Sequence, residues 1–130
     1  TKKIGTFAFN ECKSLKCIDV PDFVDEINPS AFANCSSLEK FKFPSHLKVI
    51  EPMTFFRCPA LKEANILNVV RIGKFAFADC TSLCNVKLPP TLTTIRSGAF
   101  LGCTSLKNIK IPSSTKYIDN DSFCDYTLKT

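Results

Sequence analysis

A chain of 130 residues that is 45% hydrophobic can bury a core, and its 17 lysines and arginines against 12 acids leave a formal charge of +5. No stretch approaches the roughly 20 apolar residues that a membrane-spanning helix needs, so membrane insertion is not expected. Four glycines, no tryptophan and 12 phenylalanines point to an aromatic-filled interior rather than a glycine-rich roll.

A unit of the form I-x-x-x-(A/S/T)-F-x-x-C-x-S-L-x-x-Φ-x-Φ-P, with Φ apolar, runs through the whole chain. Its anchors are Ile4, Ile27, Ile50, Ile72, Ile95 and Ile118, followed by Phe9, Phe32, Phe55, Phe77, Phe100 and Phe123. Cys12, Cys35, Cys58, Cys80 and Cys103 come next, then Leu15, Leu38, Leu61, Leu83 and Leu106. Each series steps by 23, 23, 22 and 23 residues, with a final 23 where a sixth member exists. A fixed period of this size means a stacked solenoid, in which one coil cannot bury its apolar side alone. The expectation is a single repeat domain over residues 1–130 with about five coils, its function on the surface of the stack and not in a pocket.

In chain order, coil one opens inside a repeat, so a longer array extending beyond this stretch is expected. Ile18 and Val20 alternate with polar residues as a half-buried strand does, and Pro21 ends the strand because it has no N–H for a ladder. A second short extended piece leads to Ile27. Asn28 is suited to cap a one-turn helix, with Pro29 at its first position. Coil two carries Phe41 and Phe43 in its strand and stops at Pro44. Coil three repeats the helical start with Pro52, then has Ala64 and Ile66. There Leu67 takes the place of the proline, and one residue is missing before Ile72, so an irregularity of sheet or turn is expected. Coils four and five follow the pattern with Val86/Leu88/Pro89 and Ile109/Ile111/Pro112. In the ending Phe123-Cys124-Asp125-Tyr126, Tyr126 takes the ladder cysteine's place. Small residues before each ladder phenylalanine (Ala8, Ala31, Thr54, Ala76, Ala99, Ser122) imply close packing of one coil's turn on the next.

Eight cysteines would suggest disulfides, but five share one repeat position. Stacked coils lie about 4.8 Å apart with side chains pointing the same way, which is poor geometry for a bridge. A reduced, inward thiol ladder is expected, because buried cysteine behaves as a small hydrophobe. Cys17, Cys84 and Cys124 fall off the ladder, and reactivity is expected there.

Candidate chemistry is sparse. His46, the only histidine, would have to serve alone as the base of any triad or dyad, and a solvated turn residue is expected there. Cys12-x₄-Cys17 and Cys80-x₃-Cys84 each mix an inward with an outward position, unlike a zinc pair. No enzyme, metal or cofactor is expected. The outward strand slots are more informative. Lysines 16, 40, 42, 62, 87, 107 and 110 face three acids (Asp19, Glu39, Glu63), a balance of +4 out of +5. If these slots share a face, Lys16, Asp19, Lys40, Lys42, Lys62, Asn65, Asn85, Lys87, Asn108 and Lys110 form a strip about 20 Å long. Such a strip favours an acidic protein partner. It has no arginine and no interleaved aromatics, so nucleic acid is not expected.

The strand L-x-x-Φ-x-Φ, joined to A-F-x-x-C-x-S-L and the proline, resembles the BspA-like (Treponema pallidum-type) leucine-rich repeat family. Residues 76–83 and 99–106 match best. The resemblance implies an α/β repeat: a right-handed, curved solenoid with a parallel concave sheet, short second strands and one-turn helices. It also implies a non-catalytic protein-interaction or adhesion module binding through the concave face, on a cell surface. The alternative is an intracellular regulatory scaffold docking on an enzyme such as a phosphatase. Unpaired cysteines favour that compartment. Apolar residues opening the first coil suggest end-to-end or coil-swapped homodimers.

Overall fold

The computed structural model describes residues 2–123; the expectations for Cys124 and Tyr126 lie outside them. The coils stack as a parallel solenoid, but the segment between each anchor isoleucine and its ladder cysteine is not a helix. It is a run of linked β-turns. In coil four, Ala76 N–H donates to Gly73 C=O (3.2 Å), Ala78 N–H to Phe75 C=O (3.2 Å) and Cys80 N–H to Phe77 C=O (3.3 Å). The third residue of the first and last of these turns is left-handed, with φ of 56° at Phe75 and 59° at Asp79.

This corrects the expected one-turn helices and the role of Pro29 and Pro52. Each proline is the second residue of a turn, closed by Ala31 N–H on Asn28 C=O (3.2 Å) and Thr54 N–H on Glu51 C=O (3.3 Å). Proline favours that position as strongly as it favours a helix start, because both fix φ near −65°. The reason for turns lies between coils. A helix would consume its N–H groups internally, whereas here alternate N–H groups point along the stack. Phe75, Phe77 and Asp79 donate to the carbonyls of Ser97, Ala99 and Leu101 at 3.1, 2.8 and 2.7 Å. Left-handed backbone costs roughly 1–2 kcal/mol per non-glycine residue, and these ladder bonds offset it. In coil five the two positions are Gly98 and Gly102, with φ of 68° and 78°. The Phe75 ring and the Asp79 carboxylate occupy the space that a β-carbon would need at each.

Behind the turns the ladder phenylalanines stack face to face, with centroids 5.1, 5.8, 5.2, 5.3 and 5.1 Å apart from Phe9 to Phe123 and planes within 10° of parallel. The cysteines line up beside them. Cys35, Cys58, Cys80 and Cys103 donate their S–H to the carbonyls of Phe9, Phe32, Phe55 and Phe77 in the preceding coil, at 3.0–3.1 Å. A thiol fits because it is small, apolar enough to be buried and still able to satisfy a buried carbonyl.

The strands lie on two further sides of the stack. One side holds β2 (Cys17–Asp19), β4 (Lys40–Lys42), β6 (Glu63–Asn65) and β8 (Asn85–Lys87). The other holds β1 (Lys2–Ile4), β3 (Val24–Ile27), β5 (Val49–Ile50), β7 (Arg71–Ile72), β9 (Thr94–Ile95) and β10 (Tyr117–Ile118). All pairs are parallel, but neither side forms one sheet. On the first side β2 pairs only with β4, and β6 only with β8; on the second, β1 pairs with β3, and β5, β7, β9 and β10 form a separate sheet. Both sides therefore split between coils two and three. The expected continuous sheet on the lysine-bearing side is thus two short ribbons, and residues 107–111 of coil five, expected as a strand, form none. Ile109 and Ile111 still pack partly buried against the core.

Two features of the sequence meet at the split. Coil two brings two extra rings where other coils have aliphatic residues. Phe41 lies edge-on to both Phe32 (4.9 Å) and Phe55 (4.7 Å), and Phe43 edge-on to Phe55 (5.5 Å). The Phe32–Phe55 step is also the widest of the stack, at 5.8 Å. Coil three is the short one. In coils one, two, four and five the proline carbonyl closes a four-residue turn, accepting from Val24, Leu47, Leu92 and Thr115 at 3.0–3.4 Å. Leu67 and Asn68 replace that turn, and Val69 reaches the same buried slot one residue early. The Asn68 amide instead donates to the Ser45 carbonyl at 2.7 Å. The irregularity expected at Leu67 is present.

Candidate binding face

Each three-residue strand on the lysine side buries its middle residue and exposes the flanking two. Phe41, Ala64 and Val86 point inward, and Ile18 is half-buried. All ten strip residues (Lys16, Asp19, Lys40, Lys42, Lys62, Asn65, Asn85, Lys87, Asn108 and Lys110) are exposed. Strand register sets Cys17 beside Lys40, Asp19 beside Lys42, Glu63 beside Asn85 and Asn65 beside Lys87. Lys42 and Asp19 approach to 4.0 Å with both side chains more than 70% exposed. Such a pair contributes little and leaves the lysine available. The strip is gathered in two groups, Lys16–Lys42 and Lys62–Lys87, with Asn108 and Lys110 on the strandless segment beyond.

Between the two groups, at the split, the surface opens into a cleft of about 280 Å³ lined by Lys40, Phe41, Lys42, Phe43, Glu63, Asn65 and Leu67. Its floor is aromatic: Phe41 and Phe43 are 7% exposed. Leu67, on its wall, is 55% exposed. Sequence reasoning set Lys40, Lys42 and Asn65 on an exposed strip, expected no cleft there, and missed Phe41, Phe43 and Leu67 as lining residues. The signal was present in two places: an aromatic pair at slots that are aliphatic in other coils, and a leucine at a proline position.

The split has a counterpart on the other strand side. A recess of about 350 Å³ lies between β3 and β5, lined by Asp25, Glu26, Ile27, Leu47, Lys48, Val49 and Glu51. A longer groove of about 560 Å³ crosses four coils on the turn side, along Glu11, Asn34, Arg57 and Asp79. There Arg57 reaches Asp79 at 3.6 Å and sits over the Phe56 ring at 5.0 Å. The surface thus has recesses where the repeat alone implied none.

The seven described cysteines are thiols. Burial pushes Cys80 up to about 12. The neighbouring Cys35 thiol, together with burial, raises Cys58 as well. Cys17 and Cys84 are exposed on the lysine side, Cys84 with its S–H 3.5 Å from the Lys62 carbonyl. His46 is exposed in its turn. Among the described residues no three or more His, Cys, Asp or Glu side chains cluster as metal ligands. No helix among them is long and apolar enough to cross a membrane.

The family model for the BspA type leucine rich repeat region matches six copies across residues 1–129. The chain belongs to this family. No match to a curated protein was found. Among solved structures, this BspA-type chain is similar to a leucine-rich repeat protein from Eubacterium ventriosum (TM-score 0.87, 28% identity), covering 95% of this chain and 34% of that one. It is similar to the leucine rich repeat protein of T. pallidum (TM-score 0.82, 27% identity; 92% and 63% covered). A leucine rich cell surface protein from Faecalibacterium prausnitzii is a further likeness (TM-score 0.77, 29% identity; 92% and 29% covered). The chain spans between 29% and 63% of the length of these three proteins.

Proposed function

We propose that this BspA-type chain is a non-catalytic protein-interaction module of an adhesion or cell-surface protein, binding an acidic partner through its lysine-bearing strand side. One observation carries the reading. Side chains with a formal excess of +4 are exposed on one side of the stack, while the opposite strand side carries both signs, with Asp25, Glu26 and Glu51 alongside Lys3, Lys48 and Arg71. A patch of one sign steers encounters with the opposite sign and suppresses wrong partners. The cell-surface likeness from Faecalibacterium prausnitzii supports the location.

The second reading is an intracellular scaffold that docks on an enzyme through the same side. The observation in its favour is the set of seven thiols, which fits a reducing compartment. A longer array, and association through end coils where Phe7 and Tyr117 are 60% and 65% exposed, belong to the same proposal; light scattering over a concentration series tests the association.

The test of the binding side is capture of partners by the wild type and by the triple variant Lys42→Glu/Lys87→Glu/Lys110→Glu. Binding falls at least about tenfold in the variant and weakens with added salt, since exposed charges are screened beyond about 8 Å at physiological ionic strength. Equal capture by both proteins contradicts the proposal.

A further inference from the structure

The cleft at the split gives the lysine side something that its charges lack, an apolar contact point. Its volume of about 280 Å³ lies just under the roughly 300–1,000 Å³ of small-molecule pockets. It is ample for one aliphatic side chain. Its floor is the edge-to-face pair Phe41–Phe43, 4.6 Å between centroids, and its wall is Leu67. Its rim is Lys40, Lys42, Glu63 and Asn65, and Lys87 and Lys110 continue the positive row over the next coils.

Backbone polarity at the cleft adds to this. Val20 N–H donates to Lys42 C=O at 3.2 Å, so the polar groups of Lys42 face β2. By strand alternation those of Phe41 face β6, where no ladder receives them.

We infer that the cleft takes a single aliphatic side chain from an extended acidic protein segment, anchoring it while the lysine row holds the flanking carboxylates. The inference rests on the reading of this side as an acidic-partner surface. It adds what that reading could not supply: a central, desolvated contact of the kind that concentrates binding energy. Charge complementarity selects the occupant. An extended chain advances about 3.3 Å per residue and the coils about 4.8 Å, so acids within about four residues of the anchor reach Lys87 and Lys110. A neutral apolar segment would leave the row unused.

The experiment uses two labelled peptides, each a run of alternating aspartate and glycine, one with a central leucine and the other with serine there. Fluorescence anisotropy on the whole chain gives the affinity ratio. The leucine peptide binds about five- to tenfold tighter, as partial burial of one leucine implies. Leu67→Ser, at an exposed position and without a charge change, brings the ratio below about threefold with an unchanged melting temperature. Lys110→Glu, away from the cleft, weakens both peptides alike. On the wild type, amide shifts caused only by the leucine peptide concentrate at residues 40–43 and 63–67. A wild-type ratio near one overturns the anchor and leaves the acidic-partner reading standing. Failure of both peptides to bind overturns both readings. A ratio unaffected by Leu67→Ser, or leucine-specific shifts elsewhere, overturns the location.

Discussion

The turn side and the strand sides of this solenoid obey the same repeat but handle its one interruption differently. Across the junction of coils two and three the turn side is unbroken. Ser30, Phe32 and Asn34 donate to the carbonyls of Pro52, Thr54 and Phe56 at 3.1, 3.0 and 2.7 Å, and Cys58 reaches back to Phe32 at 3.1 Å. Both strand sides split at that junction. The turns hold register with bonds made by alternate backbone groups, a stack of flat rings and a thiol at each step. The two- to four-residue strands have only their own short ladders, and on the lysine side these part beside the two extra rings. Continuity of the stack therefore resides in the turns. The strand side is free to vary, and its most distinctive surface feature lies where it varies.

The largest expected effect comes from breaking the turn side. Phe55 is fully buried between Phe32 and Phe77, with Phe41 and Phe43 against its edge. Phe55→Ala costs about 3–5 kcal/mol, a large share of the roughly 5–15 kcal/mol typical of a folded domain, and urea denaturation measures it. By contrast Phe41→Leu keeps the core filled and removes the wedge, so it costs about 1–1.5 kcal/mol. A Phe41→Leu cost equal to that of Phe55→Ala would erase the distinction between the two sides.

Next comes the thiol ladder. Cys58→Ala leaves the buried Phe32 carbonyl without its donor and costs about 1–2 kcal/mol, whereas Cys17→Ala and Cys84→Ala change stability by less than about 0.5 kcal/mol. The ladder also sets an alkaline limit. Cys80 titrates at about 12 in the fold against 9.0 for an unperturbed thiol. Between those values the unfolded chain binds fewer protons than the native one. The stability that Cys80 contributes is full below pH 9 and is lost as pH rises towards 12. Thermal melts at pH 8 and 10.5 read this as a lower midpoint at the higher pH, and a flat profile would argue against a sealed ladder. A surface ion pair also contributes little: Arg96→Ala removes an exposed 3.1 Å pair with Asp119 and changes stability by at most about 1 kcal/mol.

Much of this molecule was legible in the sequence because a solenoid writes each contact several times. Recurrence of phenylalanine, cysteine and leucine assigned the interior, and alternation in L-x-x-Φ-x-Φ assigned the exposed lysines. The turns were misread as helices because Pro29, Pro52 and Asn28 suit both structures. Only the bonds to the next coil decide between them, and those depend on residues about 23 positions away. The break in the strand ladders was half legible. Leu67 and the missing residue marked the coil, but the wedge is a contact of Phe41 with rings on both neighbouring coils, and no single repeat contains it. The cleft was missed for the same reason.

Hydrogen exchange followed by NMR on the whole chain tests most directly whether the turns carry the stack across the split. The amides of Phe32, Phe55 and Phe77 donate across coils at 3.0, 2.8 and 2.8 Å and are expected to exchange only through global opening. The amides of Phe41, Glu63 and Asn65, which face the split, are expected to exchange at least about a hundredfold faster, as local openings well below the global free energy allow. Equal protection of the two sets would mean that a continuous ladder joins β4 to β6, and would contradict the division of labour between turns and strands.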